Sequence, residues 1–230
     1  LYGNRESHRM ARTKERTTSF EELEQSFHEK KFKPLYLLYG EEDFLIDEAL
    51  ELLIREVLDE STRSFNLDIL YGSEVSPTDV VAIASSFPMI ADRRVVVIRD
   101  FDKVSNKDVL LSYIVNPSPS TCLVLVSARP DFRTKCFKMI RENAVTAEFS
   151  QLYDNHIPSW ISKRVAKLGK QVAPEACQII QNYVGKSLRE IQNEIDKLFI
   201  YVGEKKLIDA DDVNNVVGMS RQYNIFELQK

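Results

Sequence analysis

Three short apolar runs, "LYLLY" at 35–39, "VVVI" at 95–98 and "CLVLV" at 122–126, recur along the chain with helical patterning between them. No other feature narrows the fold as much. Runs of four or five apolar residues with no polar alternation read as strands buried on both faces, which requires a parallel sheet covered by helices on either side. The intervening segments supply those helices. Ile46, Ala49, Leu50, Leu53, Ile54 and Val57 recur at helical spacing and form one continuous apolar face. Ser76-Pro77, with Asp79 following, is a helix start with an N-cap and proline at N1, and Pro88 requires that helix to end near Phe87. Phe20–Lys31, Lys107–Val115 and Phe132–Arg141 read as further helices, and Leu67–Leu70 and Val145–Phe149 as further strands. This alternation predicts a doubly wound α/β domain over residues 20–150, after a polar extension at 1–19.

Beyond Ser150 the pattern is helical only: His156–Leu168, Pro174–Val184, Ser187–Tyr201 and Asp211–Val217, with no strand signal between them. Ser187 and Glu190 stand at capping-box spacing. A small all-α domain is expected over 151–218, and residues 219–230 begin a further unit. Met10-Ala11 is a candidate natural start, with residues 1–9 an upstream extension. Composition removes several function classes. With 31 Lys and Arg against 35 Asp and Glu, the net charge is −4, which argues against a domain that coats nucleic acid by itself. Cys122, Cys136 and Cys177 form no Cys-x-x-Cys pair, and His8, His28 and His156 are equally scattered, so no zinc spacing exists. Reduced, buried thiols are expected. The apolar runs are too short to span a bilayer, and the first residues lack an apolar signal core, so the reading is cytoplasmic with no membrane partner.

The stretch "LYLLYGEEDFLIDEAL" has the strand–glycine–helix form of a phosphate-binding loop. Its residues have the wrong chemistry. Gly40 is followed by Glu41, Glu42 and Asp43, and Leu45, Ile46 and Asp47 stand where Gly-Lys-Thr is required. Three carboxylates repel a triphosphate, so the stretch reads as a helix N-terminus whose acids complement the dipole. Asp100 and Asp102 follow the "VVVI" strand where a metal-binding acid pair is expected in a nucleotide hydrolase, but without a phosphate site they read as a solvated loop. No nucleophile elbow, His-Glu-x-x-His or other catalytic constellation occurs. No cofactor, metal or catalytic residue is expected.

Five segments in order, "YLLYGEEDFLIDEAL", "MIADRRVVVIRDFDK", "RPDFRTKCFKMI", "GKSLREIQNEIDKLFIYVG" and "NIFEL", resemble the delta subunits of the bacterial DNA polymerase III clamp loader. The resemblance runs from about Phe32 to the last residue. It implies an AAA+-like, P-loop NTPase-like parallel sheet with flanking helices, then a small helical lid domain, then a collar domain. The collar helices are expected to start just after Phe226-Glu-Leu228, so stable pentamer assembly is not expected of these residues alone. It further implies a replication protein that hydrolyses no ATP and belongs by membership to a DNA-directed DNA polymerase holoenzyme, a nucleotidyltransferase. Its implied partners are the sliding clamp (the beta subunit), the gamma/tau and delta-prime subunits, and primed DNA inside the assembled complex.

The resemblance also implies a clamp-binding wedge of large apolar side chains just before the third strand. The matching stretch is "SSFPMIADRR", which assigns Phe87, Pro88, Met89 and Ile90. By residue type alone these side chains belong in a core; a solvent-facing apolar patch is the signature of a wedge. Lys135, Lys138 and Arg141 either face DNA within the assembled loader or form a solvated helix face. Gly185, Leu188 and Arg189 resemble the nucleotide-sensing position of AAA+ lids; without a phosphate loop, Arg189 reads as an ion-pair residue beside Glu190 or Glu194. Two competing readings are a divergent P-loop NTPase or nucleotide kinase using Asp100 or Asp102 with Mg²⁺, and another inactive AAA+ scaffold such as delta-prime. The latter lacks here its zinc cysteines and its Ser-Arg-Cys motif.

Overall fold

The structure, a computed structural model, describes residues 17–216, so the extension before them and the tail with Phe226 and Leu228 lie outside the described residues. The chain divides into two compact units at Ser150/Gln151. The first opens with Phe20–His28 (α1), capped by a reciprocal Ser19–Glu22 capping box. Leu35–Tyr39 (β1), Asp43–Val57 (α2), a single turn Arg63–Asn66 (α3), Leu67–Tyr71 (β2) and Pro77–Ser85 (α4) follow. Arg94–Arg99 (β3), Leu111–Val115 (α5), Thr121–Ser127 (β4), Lys135–Asn143 (α6) and Val145–Glu148 (β5) complete it. All five strands run parallel in the order β2-β3-β4-β1-β5. This is an AAA+-like α/β sheet.

The sheet's two faces follow from the two-residue period of a strand. Tyr36 and Leu38, Val95 and Val97, and Cys122 and Val124 point to one side, where they pack with Leu23 and Phe27 of α1 and Ile46, Ala49, Leu50 and Leu53 of α2. Leu35 and Leu37, Val96 and Ile98, and Leu123 and Leu125 point to the other, against Val80 and Ala84 of α4, Tyr113 and Ile114 of α5, and Cys136, Phe137 and Ile140 of α6. Both faces are buried, which is why these runs carry no polar alternation. Burying one Val, Leu or Ile side chain contributes about 1.5–3 kcal/mol, so the central strands dominate the unit's stability.

Helix boundaries moved where local hydrogen bonding overrode periodicity. The helix expected over Phe132–Arg141 starts at Lys135, because Asp131 accepts from the Arg133 N–H and guanidinium and Thr134 bonds back to Asp131. The segment from Lys107 opens as a 3₁₀ turn, Lys107–Leu110, before α5. Ser76 Oγ caps α4 through the Asp79 N–H, and the helix stops at Ser85, two residues before Phe87.

The second unit contains Ile157–Lys167 (α7), Pro174–Val184 (α8) and Leu188–Val202 (α9), with residues 210–216 helical as well. Ser187 Oγ accepts from the Glu190 N–H at the start of α9. The unit is helical as expected, with one addition: Gln171–Val172 (β6) and Leu207–Ile208 (β7) form a small parallel pair. Two-residue strands carry no periodic signal, so the sequence gives no notice of them. Glu194 pairs with Lys197 of its own helix.

Candidate functional site

The sheet has two functional ends. At its carboxyl end, Gly40 leaves β1 where a phosphate cradle requires free backbone N–H groups. Here they are committed: the Gly40 N–H donates to Ser127 O at 3.2 Å, and the Glu42 N–H to Phe149 O at 2.9 Å. Gly40 has φ +132°, and a Cβ there would lie 2.2 Å from Phe149 O. The glycine serves a close crossing of two backbones rather than an anion. Asp43 lies in the first turn of α2, while Glu41 is paired with the exposed Arg129.

Asp47 and Arg99 complete the replacement. Asp47 occupies the hydroxyl position of a phosphate loop, and Arg99 ends β3, next to the expected metal-binding acids. Arg99 Nη2 donates to Asp47 Oδ1 at 2.7 Å, so a guanidinium from the end of β3 engages the carboxylate that stands at the hydroxyl position. Asp102 is exposed in its loop, and its Oδ1 also accepts from Ser127 Oγ at 2.8 Å and the Ala128 N–H at 3.2 Å, latching the exits of β3 and β4 together. Asp100 pairs with Lys103 at 2.9 Å. Among the described residues no group of His, Cys, Asp and Glu is arranged to hold a metal ion. The three thiols are buried, and burial pushes each up to about 11, away from nucleophilic use at neutral pH.

The amino end of the sheet, in the loop between α4 and β3, is where the apolar cluster lies. Phe87 is 83% exposed, Met89 57% and Ile90 91%, with Pro88 half-buried between them. Pro88 is the reason they leave the core. It ends the helical hydrogen bonding after Ser86, so the side chains that follow are not carried back onto the α4 face. Ile90 adopts φ +52°, a left-handed conformation that costs a β-branched residue about 1–2 kcal/mol. Sequence reasoning missed two neighbours. Asn66 is buried beneath Met89, and Phe65 is exposed beside it in the chain. Neither belongs to a periodic pattern, and a buried amide has no signature in a single sequence.

The basic residues of α6 do not act as one group. Lys135 and Lys138 are exposed on one face, but Arg141 is half-buried, with its guanidinium carbon 4.9 Å from the centre of the Phe132 ring and its Nε shielded from solvent. Arg141 thus packs on an aromatic ring, unlike the two exposed lysines. No helix among the described residues is long and apolar enough to cross a membrane.

Comparison with known proteins gives concordant matches. The family profile described as "DNA polymerase III, delta subunit" matches residues 36–150. The chain is 31% identical over 208 residues to the DNA polymerase III subunit delta of Bacillus subtilis, covering 85% of this chain and 60% of that protein. Its fold is similar to the solved Bacillus subtilis DNA clamp loader delta protein, with TM-score 0.74, 28% identity, and coverage of 86% of this chain and 62% of that one. A likeness in fold alone extends to the Thermotoga maritima RuvB Holliday junction branch migration motor, with TM-score 0.51, 17% identity, and coverage of 86% and 65%. The chain thus spans about three fifths of the length of the delta proteins it matches.

Proposed function

Because the chain belongs to the DNA polymerase III delta-subunit family, we propose that it binds the sliding clamp with the apolar cluster before β3 and helps open the ring for loading onto primed DNA. The exposure of Phe87, Met89 and Ile90 carries this reading. An exposed cluster of Phe, Met and Ile, fixed at the end of a rigid sheet, suits an apolar pocket on a protein partner. Met adds adaptability to the contact. The committed backbone and the Asp47–Arg99 pair support a subunit that hydrolyses no ATP itself.

Ring opening needs no covalent chemistry from this chain. A wedge that fits the opened clamp interface better than the closed one shifts the equilibrium by the ratio of the two affinities, and no further. ATP on the gamma/tau partners, with delta-prime, governs when the wedge is presented. Lys135 and Lys138 face the primed DNA in the assembled loader, and the protein works in the cytoplasm at replication forks on the nucleoid.

The test is capture of the cognate clamp by the full chain and by its Phe87→Ala/Met89→Ala/Ile90→Ala variant. Truncating three such contacts removes about 3–6 kcal/mol, so affinity should fall by roughly two to four orders of magnitude. Capture undiminished by the triple substitution moves the contact elsewhere and ends the proposal.

A further inference from the structure

Residues 86–93 are neither helix nor strand, and the side chains of Phe87, Met89 and Ile90 are largely in solvent, so neither a ladder nor core packing holds the loop that bears them. At Met89 the hold comes from a side chain on another element. Asn66, the last residue of α3, is 0% exposed. Its Nδ2 donates to Met89 O at 2.8 Å and to Thr62 O at 3.0 Å, and its Oδ1 accepts from the Met89 N–H at 2.7 Å. We infer that Asn66 is the positioning residue of the wedge, its buried amide gripping both main-chain groups of Met89 and so setting where Phe87, Met89 and Ile90 project. The inference rests on the reading of those three side chains as the clamp contact.

The chemistry of the site explains why an amide is required. Both Nδ2 protons and the Oδ1 are used, so the group is well satisfied in a place from which water is excluded. Turning the amide over would set Oδ1 against two carbonyl oxygens, so the network admits one orientation. A carboxylate offers only acceptors and repels the Met89 and Thr62 carbonyls. A leucine leaves Met89 with a donor and an acceptor unmet beneath the loop.

Two further observations lead to the same residue. Ile90 is held at φ +52°, and such strain persists only where neighbouring contacts over-determine the backbone. Met89, immediately before it, is fixed by Asn66; after it, Arg93 donates to Pro119 O at 2.8 Å and the Arg94 N–H to Ser120 O at 2.9 Å, while the Arg94 guanidinium pairs with Asp68 of β2. The strained residue is thus restrained on both sides. The sheet makes this contact available, because β2 and β3 are neighbours with Leu67 opposite Val95, which brings the residue before one strand to the loop before the other. Fixing the loop in advance spares the complex the cost of ordering it on binding.

The test combines amide hydrogen exchange with clamp binding on the full chain. In the unaltered protein the Met89 amide should exchange at least about tenfold more slowly than an unprotected amide; exchange at the unprotected rate overturns the inference without any variant. Asn66→Ala and Asn66→Asp should each lower affinity for the cognate clamp about tenfold. They should also speed exchange at Met89 and Ile90 while leaving Val96 and Val97 of β3 unchanged. Acceleration that extends to Val96 and Val97 marks general loosening and overturns the positioning role. Wild-type affinity in both Asn66 variants, with capture lost in the Phe87/Met89/Ile90 triple alanine variant, overturns this inference and leaves the clamp reading standing. Undiminished capture by the triple variant removes both.

Discussion

Substituting Gly40 by alanine separates a structural clasp from a dormant phosphate cradle. A Cβ at Gly40 would lie 2.2 Å from Phe149 O and 2.6 Å from Phe149 C, both backbone atoms that cannot rotate aside. The residue also holds φ +132°, where a side chain costs about 1–3 kcal/mol. Relieving the overlap means separating the two backbones, which puts at risk the Glu42–Phe149 and Gly40–Ser127 hydrogen bonds, each worth about 1 kcal/mol net. Together Gly40→Ala should cost about 3–5 kcal/mol, a large part of the 5–15 kcal/mol that holds a typical domain. With a urea slope of about 2 kcal/mol/M, the unfolding midpoint should fall by roughly 2 M. Far-UV circular dichroism is the probe, since the single tryptophan, Trp160, reports on the other unit. Gly203→Ala is the matched control: its φ is +51° but a Cβ there meets nothing within 4 Å, so about 1–2 kcal/mol is expected. A Gly40→Ala midpoint within about 0.3 M of wild type refutes the clasp, as its cost would then be well under 1 kcal/mol.

Ile90→Gly removes a clamp contact while relieving the left-handed strain, so clamp affinity should fall at least about tenfold with stability within about 1 kcal/mol of wild type; a matching stability loss would show that Ile90 is a packing residue. Burial raises the Cys122 thiol from 9.0 to about 11. Between those values the unfolded chain has lost a proton that the native chain keeps, so this contribution is complete below pH 9 and lost as pH rises through about 11. Urea midpoints should therefore fall more steeply between pH 8 and 10.5 in wild type than in Cys122→Ala, a difference of up to about 2 kcal/mol; parallel curves contradict it. Lys135→Glu/Lys138→Glu should leave clamp capture intact and weaken primed-DNA binding by the assembled loader, with a shallower salt dependence; an unchanged salt slope removes the two lysines from the DNA path.

The chain's own pattern was enough for the sheet. "VVVI" and "CLVLV" lack polar alternation because both faces of β3 and β4 are covered, and that reads directly from residue order. The acids after Gly40 and the missing lysine are equally local facts. Ser76, Pro77 and Pro88 bracket α4 within a residue or two, since capping and proline geometry act between near neighbours. Boundaries drifted where side chains competed for the backbone, as at Asp131–Thr134.

Tertiary structure decided everything that joins distant residues. Asn66 meets Met89, 23 positions away, and Arg99 meets Asp47, 52 positions away, because the strand order sets which ends lie side by side. The backbone of Phe149 crosses Gly40 for the same reason, β5 lying next to β1. Arg141 carries the residue type of a surface cation, yet it lies on Phe132 because α6 begins late and leaves that ring free of the helix. Periodicity records which face of an element is wet, and a chain can be read for that alone. Partner choice among buried polar groups depends on distances of about 3 Å between segments remote in sequence, and only the folded sheet sets those.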